Sequence, residues 1–220
     1  MSFELYDLEQ PIDITHRRLP HWYQPGATYF VTFRSGDSLP EEVVRKWHSA
    51  KEEWLHQHGI DPRGPNWQSM LAALPDLQKR QYHSRFSREF HEYLDRGFGE
   101  CVLRRPELAQ IVGTSLLHFD GTRYRMGDFV VMPNHVHLLV CLVGTTKITE
   151  QCYSWKKFSA TQLNLRLGRR GHFWQAESFD HLVRNPNQFA YLQKYIADNP
   201  REAGLHDGEY LLYQPLLDSK

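Results

Sequence analysis

The stretch from Tyr124 to Leu142, YRMGDFVVMPNHVHLLVCL, decides the fold. Two runs rich in β-branched and aromatic residues flank the pair Pro133-Asn134, which favours a turn. We therefore predict two neighbouring strands, Tyr124–Met132 and His135–Leu142. The second half of the later strand is uniformly apolar, which is typical of a central strand covered on both faces of a sheet.

The segments around these two strands predict a mixture of strands and helices. Before them, the aromatic and β-branched segment Ala27–Phe33 predicts another strand. After them we expect a helix from about Lys147 to Leu167, a short strand or extended segment over Phe179–Arg184, and a helix that begins at Asn185-Pro186. This last helix should end near Asn199, because Pro200 disfavours a helical residue before it.

The chain between the first predicted strand and Tyr124 is long, from about residue 38 to about residue 119. Helical spacing and helix-start signals predict three helices in it, from Ser38 to about His58, over Leu77–Arg96, and from Arg105 to about Phe119. The segment Gln78–Arg88 holds four basic residues and no acidic one. It is either a solvated helix face or a surface that contacts an anionic partner.

The composition is that of a folded globular protein, with 220 residues, 40% of them hydrophobic and 13% aromatic. No apolar stretch approaches the ~18 residues of a membrane span. The acidic residues Glu4, Asp7 and Glu9 argue against a signal peptide. Three cysteines without a CxxC pair fit a reducing compartment. We therefore expect a cytoplasmic protein that does not contact a membrane.

The overall charge counts mildly against nucleic-acid binding. The chain has 26 basic and 26 acidic side chains and a net charge of zero, whereas a basic excess is the usual footprint of a DNA-binding protein. The distribution is uneven, since six Lys or Arg residues and two acids lie between Ser154 and Arg184. Composition alone leaves a DNA-binding surface and a solvated helix face both open.

Two histidines at the start of the central strand form a candidate metal site. His135 and His137 are separated by one residue, so on a strand their side chains emerge on the same face, about 7 Å apart along the chain. Two imidazoles on one face are able to bind one divalent metal ion. The alternative is a pair of partly exposed histidines without a ligand.

The last predicted helix carries a second candidate group. Tyr191, Tyr195 and Asn199 follow each other at a spacing of four residues and line one stripe. A tyrosine in such a stripe is usually a core residue, and a nucleophilic tyrosine needs activation and a partner that neutralises phosphate charge. The side-chain oxygen of Asn199 suits the coordination of Mg²⁺ or Mn²⁺.

Four segments occur in an order that resembles a known family. They are YFVTFR (Tyr29–Arg34), VVMPNHVHLLV (Val130–Val140), FWQAESFDHLVRN (Phe173–Asn185) and YLQKYIADNPREAGL (Tyr191–Leu205). In these segments the chain resembles the REP-associated tyrosine transposases, relatives of the single-tyrosine HUH transposases of small insertion sequences. The resemblance implies a ferredoxin-like α+β fold, an antiparallel sheet with helices on one face. It also implies one domain over residues 1–220, with the stretch at about 38–119 as a helical insertion after the first strand.

The resemblance implies a role for each candidate residue. His135 and His137 match the metal-binding HUH pair, Tyr195 matches the catalytic tyrosine and Asn199 matches the third ligand of a Mg²⁺ or Mn²⁺ ion. The implied reaction is attack of the Tyr195 oxygen on single-stranded DNA near a palindromic, REP-like hairpin. It gives a 5′-phosphotyrosine and a free 3′-OH, and a later 3′-OH rejoins the strands. Tyr191 is a rival nucleophile that lies a turn farther from Asn199.

Other residues are candidates for supporting roles around this site. By the family's layout Trp155, Lys156 and Lys157 should face the DNA, and their charge makes Arg169, Arg170 and Arg184 candidates for phosphate contacts. Asp180 and His181 should orient a metal ligand through a hydrogen bond. The plainer interpretation is a solvated basic turn for the lysines and an ion pair for Asp180 and His181.

Three functions remain open on the sequence. The leading one is a metal-dependent transposase, which is a single-strand endonuclease and strand transferase, either mobile or serving repeated elements of its host. The second is a non-catalytic hairpin-binding protein with the same fold. The third is a metal-dependent phosphodiesterase that uses water instead of Tyr195. Both a monomer and a homodimer are compatible with each function.

Overall fold

The computed structural model describes residues 3–7, 13–16, 20–64 and 66–215. The chain divides into two compact units, one formed by Met1–Gly36 with Glu100–Lys220 and the other by Asp37–Gly99. We call the first the sheet unit and the second the insertion unit. No described helix combines the length and the hydropathy that crossing a bilayer requires.

The strands, in chain order, are β1 (Asp13–His16), β2 (Pro20–Tyr23), β3 (Thr28–Arg34), β4 (Tyr124–Val131), β5 (His135–Leu142), β6 (Phe179–Leu182) and β7 (Leu211–Tyr213). The α-helices are α1 (Glu41–Gln57), α2 (Trp67–Ala73), α3 (Asp76–Asp95), α4 (Pro106–Leu117), α5 (Ile148–Leu167) and α6 (Pro186–Glu202). β1 and β2 form a small antiparallel pair. The other five strands form an antiparallel sheet in the order β6-β3-β5-β4-β7. β5 therefore lies at the centre, as its apolar sequence predicts.

The strand register divides the side chains of the sheet between two faces. Residues directly opposite each other in an antiparallel pair point to the same face. His137 of β5 lies opposite Thr32 of β3 and Val130 of β4, so these three share a face. This face also carries Phe30 and Leu139 and packs against α6. We call it the α6 face.

The opposite face is covered by two helices. Leu138 of β5 lies opposite Val31 of β3 and Phe129 of β4. These residues belong to a large buried cluster that includes Leu116 of α4 and Cys152 of α5. We call this the α4–α5 face. It holds most of the apolar core of the sheet unit.

The predicted α+β fold with an antiparallel sheet is confirmed, but the helices do not all lie on one face. α6 covers the face opposite to α4 and α5. The physical reason lies in β5, whose residues His135–Leu142 are all buried. A strand with apolar side chains on both sides needs a covering layer on each, and α6 supplies the second one.

The predicted start of α6 is confirmed, whereas its predicted end is wrong. The side chain of Asn185 accepts a hydrogen bond from the backbone N–H of Gln188 at 2.9 Å, and Pro186 occupies the first turn. The helix then continues past Pro200 to Glu202. Pro200 is buried and interrupts only the last turn, where the backbone N–H of Ala203 still bonds to the Asn199 carbonyl at 2.9 Å.

The insertion unit contains α1, α2 and α3 and has an apolar core of its own. The buried members are Trp54, Leu55, Ile60, Leu71, Tyr82 and Phe86. α2 is a short helix in a segment for which the sequence predicts none, because seven residues give too little periodicity to recognise. The third helix predicted in this part of the chain is α4, which belongs to the sheet unit.

The predicted basic run of α3 is partly neutralised by acids of the same helix. Lys79 forms an ion pair with Asp76 at 2.8 Å, and Arg85 forms one with Glu89 at 3.3 Å. Such surface pairs add little stability, but they reduce the net positive charge that the helix presents. Contact of this helix with an anionic partner stays a prediction.

A buried hydroxyl connects the layers on the α4–α5 face. The Tyr124 hydroxyl accepts hydrogen bonds from the Trp155 indole N–H at 3.0 Å and from the Phe119 backbone N–H at 3.2 Å, and it donates to the Leu116 carbonyl at 2.7 Å. Burial raises the pKa of Tyr124, so the hydroxyl stays protonated and keeps its donor role. One oxygen thus ties β4 to both covering helices.

Replacing Tyr124 by Phe should lower the free energy of unfolding by about 1–3 kcal/mol, because the buried Trp155 N–H and the part-buried Phe119 N–H then lose their acceptor. Urea denaturation followed by circular dichroism measures this change. The matched control is Tyr153→Phe, since Tyr153 is exposed on α5 and its loss should cost less than about 0.5 kcal/mol. Equal effects of the two substitutions would contradict the role given to Tyr124.

Candidate active site

The two histidines of β5 form a close pair on the α6 face. The ring centroids of His135 and His137 lie 4.6 Å apart at an interplanar angle of 73°. Both side chains are buried, with relative exposures of 1% and 0%. Polar rings at such depth are stable only when their nitrogens bind other polar groups, so the surroundings of each ring are informative.

Asn134 fixes the orientation of His135. The Nδ1 atom of His135 lies 2.7 Å from the Oδ1 atom of Asn134, the residue before it in the tight turn between β4 and β5. Because an amide oxygen only accepts hydrogen bonds, Nδ1 carries the proton in this contact. The neutral ring then has its lone pair on Nε2, the form that binds a metal through that atom.

Thr32 and Phe30 of the neighbouring strand hold His137. The Nδ1 atom of His137 lies 2.7 Å from the Thr32 hydroxyl, and the Phe30 ring stacks on the imidazole with centroids 5.5 Å apart. A neutral imidazole that donates from Nδ1 to this hydroxyl keeps its lone pair on Nε2. A hydroxyl is able to donate or to accept, so this contact holds the ring in place, and the lone pair lies on Nε2 when Nδ1 is the donor.

Tyr195 of α6 reaches the same pair from the other layer. Its hydroxyl oxygen lies 3.3 Å from Nε2 of His137, and the two ring centroids are 5.2 Å apart. The tyrosine is half-buried. Asn199 follows one turn later on the same helix and is fully buried. Of the predicted stripe, Tyr195 and Asn199 therefore face the sheet, where Tyr195 meets the predicted metal-binding pair, whereas Tyr191 is exposed.

The donor set of this region is compatible with a divalent ion. Among the described residues, no group of three His, Cys, Asp or Glu side chains is arranged to hold a metal. The predicted set instead combines two imidazole nitrogens with the amide oxygen of Asn199, and amide oxygen is a normal ligand of Mg²⁺ and Mn²⁺. Imidazole suits Mn²⁺ better than Mg²⁺. Metal binding by His135, His137 and Asn199 stays a prediction.

Two residues predicted to orient a metal ligand lie on different faces of the sheet. His181 lies opposite Phe30 on the α6 face, with the two ring centroids 5.3 Å apart, and its role stays a prediction. Asp180 lies opposite Val31 and therefore on the α4–α5 face. Its predicted role is wrong, because the sheet separates it from His135 and His137.

The predicted contact of Trp155 with DNA is also wrong. Trp155 is 2% exposed and packs in the core of the α4–α5 face, where its N–H bonds to Tyr124. The next residue, Lys156, donates to the backbone carbonyls of Gln175 at 3.2 Å and Ala176 at 2.6 Å. This lysine supports the segment before β6. The basic turn of α5 lies in the layer opposite to Tyr195.

The other predicted phosphate contacts lie at the surface of the sheet unit. Lys157 and Arg170 are exposed, and so is Arg184 at the end of the segment between β6 and α6. Arg169 is exposed as well and forms an ion pair with Glu100. The structure does not bring these four residues together with the histidine pair as one cluster of contacts, and their contacts with DNA stay predictions.

Sequence reasoning missed three residues that surround the pair. Thr32 and Asn134 orient the two imidazoles, and Arg34 lies directly opposite His135 at the end of β3. Arg34 is half-buried, and burial lowers its pKa to about 10, so it stays charged at neutral pH. Alternation along β3 puts Thr32 and Arg34 on one face, but the register that pairs this face with the histidines was not visible in the sequence.

This chain shows a distant structural similarity to a solved structure but no match in sequence. No protein-family model matches the sequence, and no curated protein matches it. The fold is similar to that of a REP-associated tyrosine transposase bound to a REP hairpin, with 16% sequence identity and a TM-score of 0.43. The match covers 87% of this chain and 75% of that chain. Similarity at this level leaves the function to be inferred from the residues of the chain itself.

If the histidine pair binds a metal, Mn²⁺ should raise the melting temperature of the protein. At a Mn²⁺ concentration one hundred times the Kd the stabilisation is about 2.7 kcal/mol. We expect His137→Gln to abolish most of the shift and the exposed-residue control His172→Gln to retain it. Differential scanning calorimetry with and without Mn²⁺ measures both. If the melting-temperature shift in His137→Gln were as large as in the parent, the metal would bind at a site that does not include His137.

The Thr32 hydroxyl should support metal binding through His137. Thr32→Val removes the hydroxyl with little change of shape and should weaken Mn²⁺ binding about 10- to 100-fold. Thr28→Val is the matched control, because Thr28 is buried on the same face of β3 and bonds to the Glu4 carbonyl instead. Isothermal titration calorimetry gives the two Kd values. A similar loss in both variants would mean that the effect is one of general stability.

Proposed function

We propose that this chain is a tyrosine-dependent DNA transposase that cleaves and rejoins single-stranded DNA next to a hairpin. The observation that carries the proposal is the 3.3 Å contact between the Tyr195 hydroxyl and Nε2 of His137 within a buried histidine pair. It joins a potential nucleophile to a potential metal site. The four sequence segments that resemble REP-associated tyrosine transposases support the same reading.

The chemistry of phosphoryl transfer explains why these groups belong together. A phosphodiester repels nucleophiles through its negative charge, so catalysis depends on positioning and on charge neutralisation. The rings of His135 and His137, with the amide of Asn199, would hold a divalent ion. When bound, such an ion supplies positive charge for the non-bridging oxygens of the phosphate. Tyr195 supplies the nucleophilic oxygen from the facing helix.

The proposed step balances without an external energy source. The Tyr195 oxygen forms a bond to phosphorus while the bond from phosphorus to the 3′ oxygen breaks. The phenolic proton is released, and the departing oxygen gains a proton to become a 3′-OH. The strand is left as a 5′-phosphotyrosine, which keeps the energy of the phosphodiester bond, so attack by another 3′-OH reverses the step and joins two strands.

Basic side chains on the surface of the sheet unit would bind DNA phosphates away from the cleavage position. Lys157, Arg170 and Arg184 are exposed, whereas the total charge of the chain is zero. We therefore expect moderate affinity that relies on local contacts and falls with salt. A hairpin substrate, a cytoplasmic location and a monomeric or homodimeric state complete the proposal.

Incubation of the protein with single-stranded hairpin oligonucleotides from DNA flanking the gene, in the presence of Mn²⁺ or Mg²⁺, should give a covalent protein–DNA adduct. A denaturing protein gel detects it. Tyr195→Phe and addition of a chelator should each reduce the adduct by a factor on the order of 10⁴ or more. The matched control is Tyr191→Phe, which removes the hydroxyl of an exposed tyrosine one turn away on α6.

Other outcomes would assign the chain to another function. Cleavage that persists in Tyr195→Phe without an adduct would indicate a hydrolase that uses water. Loss of the adduct in Tyr191→Phe but not in Tyr195→Phe would identify Tyr191 as the nucleophile. Tight hairpin binding without cleavage at any metal concentration would indicate a non-catalytic binding protein and would contradict the proposal.

A further inference from the structure

We propose that Arg34 binds the phosphate on which Tyr195 acts, as a cationic group that the chain itself supplies beside the histidine pair. This inference deepens the proposed function and rests on it. It concerns a residue outside the histidine pair and the tyrosine helix.

The register puts Arg34 on the correct face. Arg34 is the last residue of β3 and lies directly opposite His135, the first residue of β5. Directly opposite residues in an antiparallel pair have Cβ atoms about 5 Å apart and share a face. Thr32, which bonds to His137, lies two residues earlier on that same face. Arg34 therefore extends the row of polar groups on the α6 face by one position.

The backbone around Arg34 is fixed on both sides. The Arg34 carbonyl accepts a hydrogen bond from the Gln175 N–H at 2.9 Å, and the next N–H, that of Ser35, donates to the Asn134 carbonyl at 2.8 Å. The Gly36 N–H then donates to the Phe173 carbonyl at 2.8 Å. The arginine side chain thus starts from a rigid position, which is a requirement for precise placement of a functional group.

Burial and shape make the Arg34 side chain suitable for phosphate. The residue is only half-buried, so part of it is shielded from water while the rest stays accessible to a ligand. A guanidinium presents parallel N–H donors that match two oxygens of one phosphate, and partial removal from water strengthens each contact. A lysine in the same place would provide the charge without this geometry.

The site needs such a cation because its other protein groups are neutral. Neutral imidazoles and the Asn199 amide carry no net charge, and Tyr195 loses its proton as it attacks. Asp180, which was predicted near the histidines, lies on the opposite face of the sheet. The positive charge of Arg34 would therefore stabilise the negative charge of the phosphodiester, which increases as the Tyr195 oxygen attacks phosphorus.

The first test measures phosphate binding separately from cleavage. In a Tyr195→Phe background, we expect Arg34→Gln to weaken binding of a flanking hairpin oligonucleotide about tenfold, as judged by fluorescence anisotropy. The slope of log K against log salt should fall in magnitude by about 0.7, which corresponds to one phosphate contact on a single strand. The matched control is Arg166→Gln, because Arg166 is exposed on α5 beside the other face. An unchanged affinity and slope in Arg34→Gln would overturn the inference.

The second test identifies the phosphate. Replacing the phosphate at the mapped cleavage position by an uncharged methylphosphonate should remove the difference between Tyr195→Phe and the double variant Tyr195→Phe/Arg34→Gln. With Tyr195 present, Arg34→Gln should slow adduct formation about 100- to 1000-fold, and Arg34→Lys should recover part of the rate. A difference that persists with the methylphosphonate would place Arg34 on another phosphate and overturn the assignment.

The two proposals fail in different ways. If the unaltered protein forms no adduct with any flanking hairpin but Arg34→Gln still reduces the salt slope, the proposed reaction is wrong and the phosphate contact remains. If adduct formation depends on Tyr195 but is unaffected by Arg34→Gln, the reaction stands and the role of Arg34 is wrong. Melting temperatures of the Arg34 variants within a few degrees of the parent exclude misfolding as the cause.

Discussion

The burial of β5 on both faces is the constraint on which the rest of this structure depends. Successive residues of a strand alternate between faces, so His135 and His137 necessarily share one face and Val136 points to the other. Because the residues that follow are apolar on both sides, each face requires its own helical layer. The α6 helix therefore covers the second face of β5, and its position brings Tyr195 into contact with His137.

The fold was predictable from the sequence to the extent that local signals were strong. The strand His135–Leu142 has the predicted bounds, and the cap of α6 at Asn185 is the predicted one. The pairing of His137 with Tyr195 followed from a spacing pattern together with a family resemblance. The two-faced packing was implied by the apolar sequence of β5, although the resemblance pointed to helices on one face.

The misplaced site residues, Asp180 and Trp155, have one physical origin, since both errors depend on which side of an element a residue faces. A shift of one residue along a strand reverses its face, so Asp180 lies away from the site while His181 lies on it. Trp155 sits on the inner side of α5 because the core there accepts a large ring and supplies an acceptor for its N–H. Thr32 and Arg34 became visible only through the pairing of β3 with β5, which joins residues far apart in the chain.

The contact between Tyr195 and His137 also has a consequence for the order of events at the site. A neutral imidazole with its proton on Nδ1 has one lone pair on Nε2, and that lone pair serves either a hydrogen bond or a coordinate bond. In this tautomer His137 cannot accept from the Tyr195 hydroxyl and ligate an ion at the same time. Binding of an ion by Nε2 of His137 would then release the Tyr195 hydroxyl from this contact, so metal binding and freeing of the proposed nucleophile would be coupled.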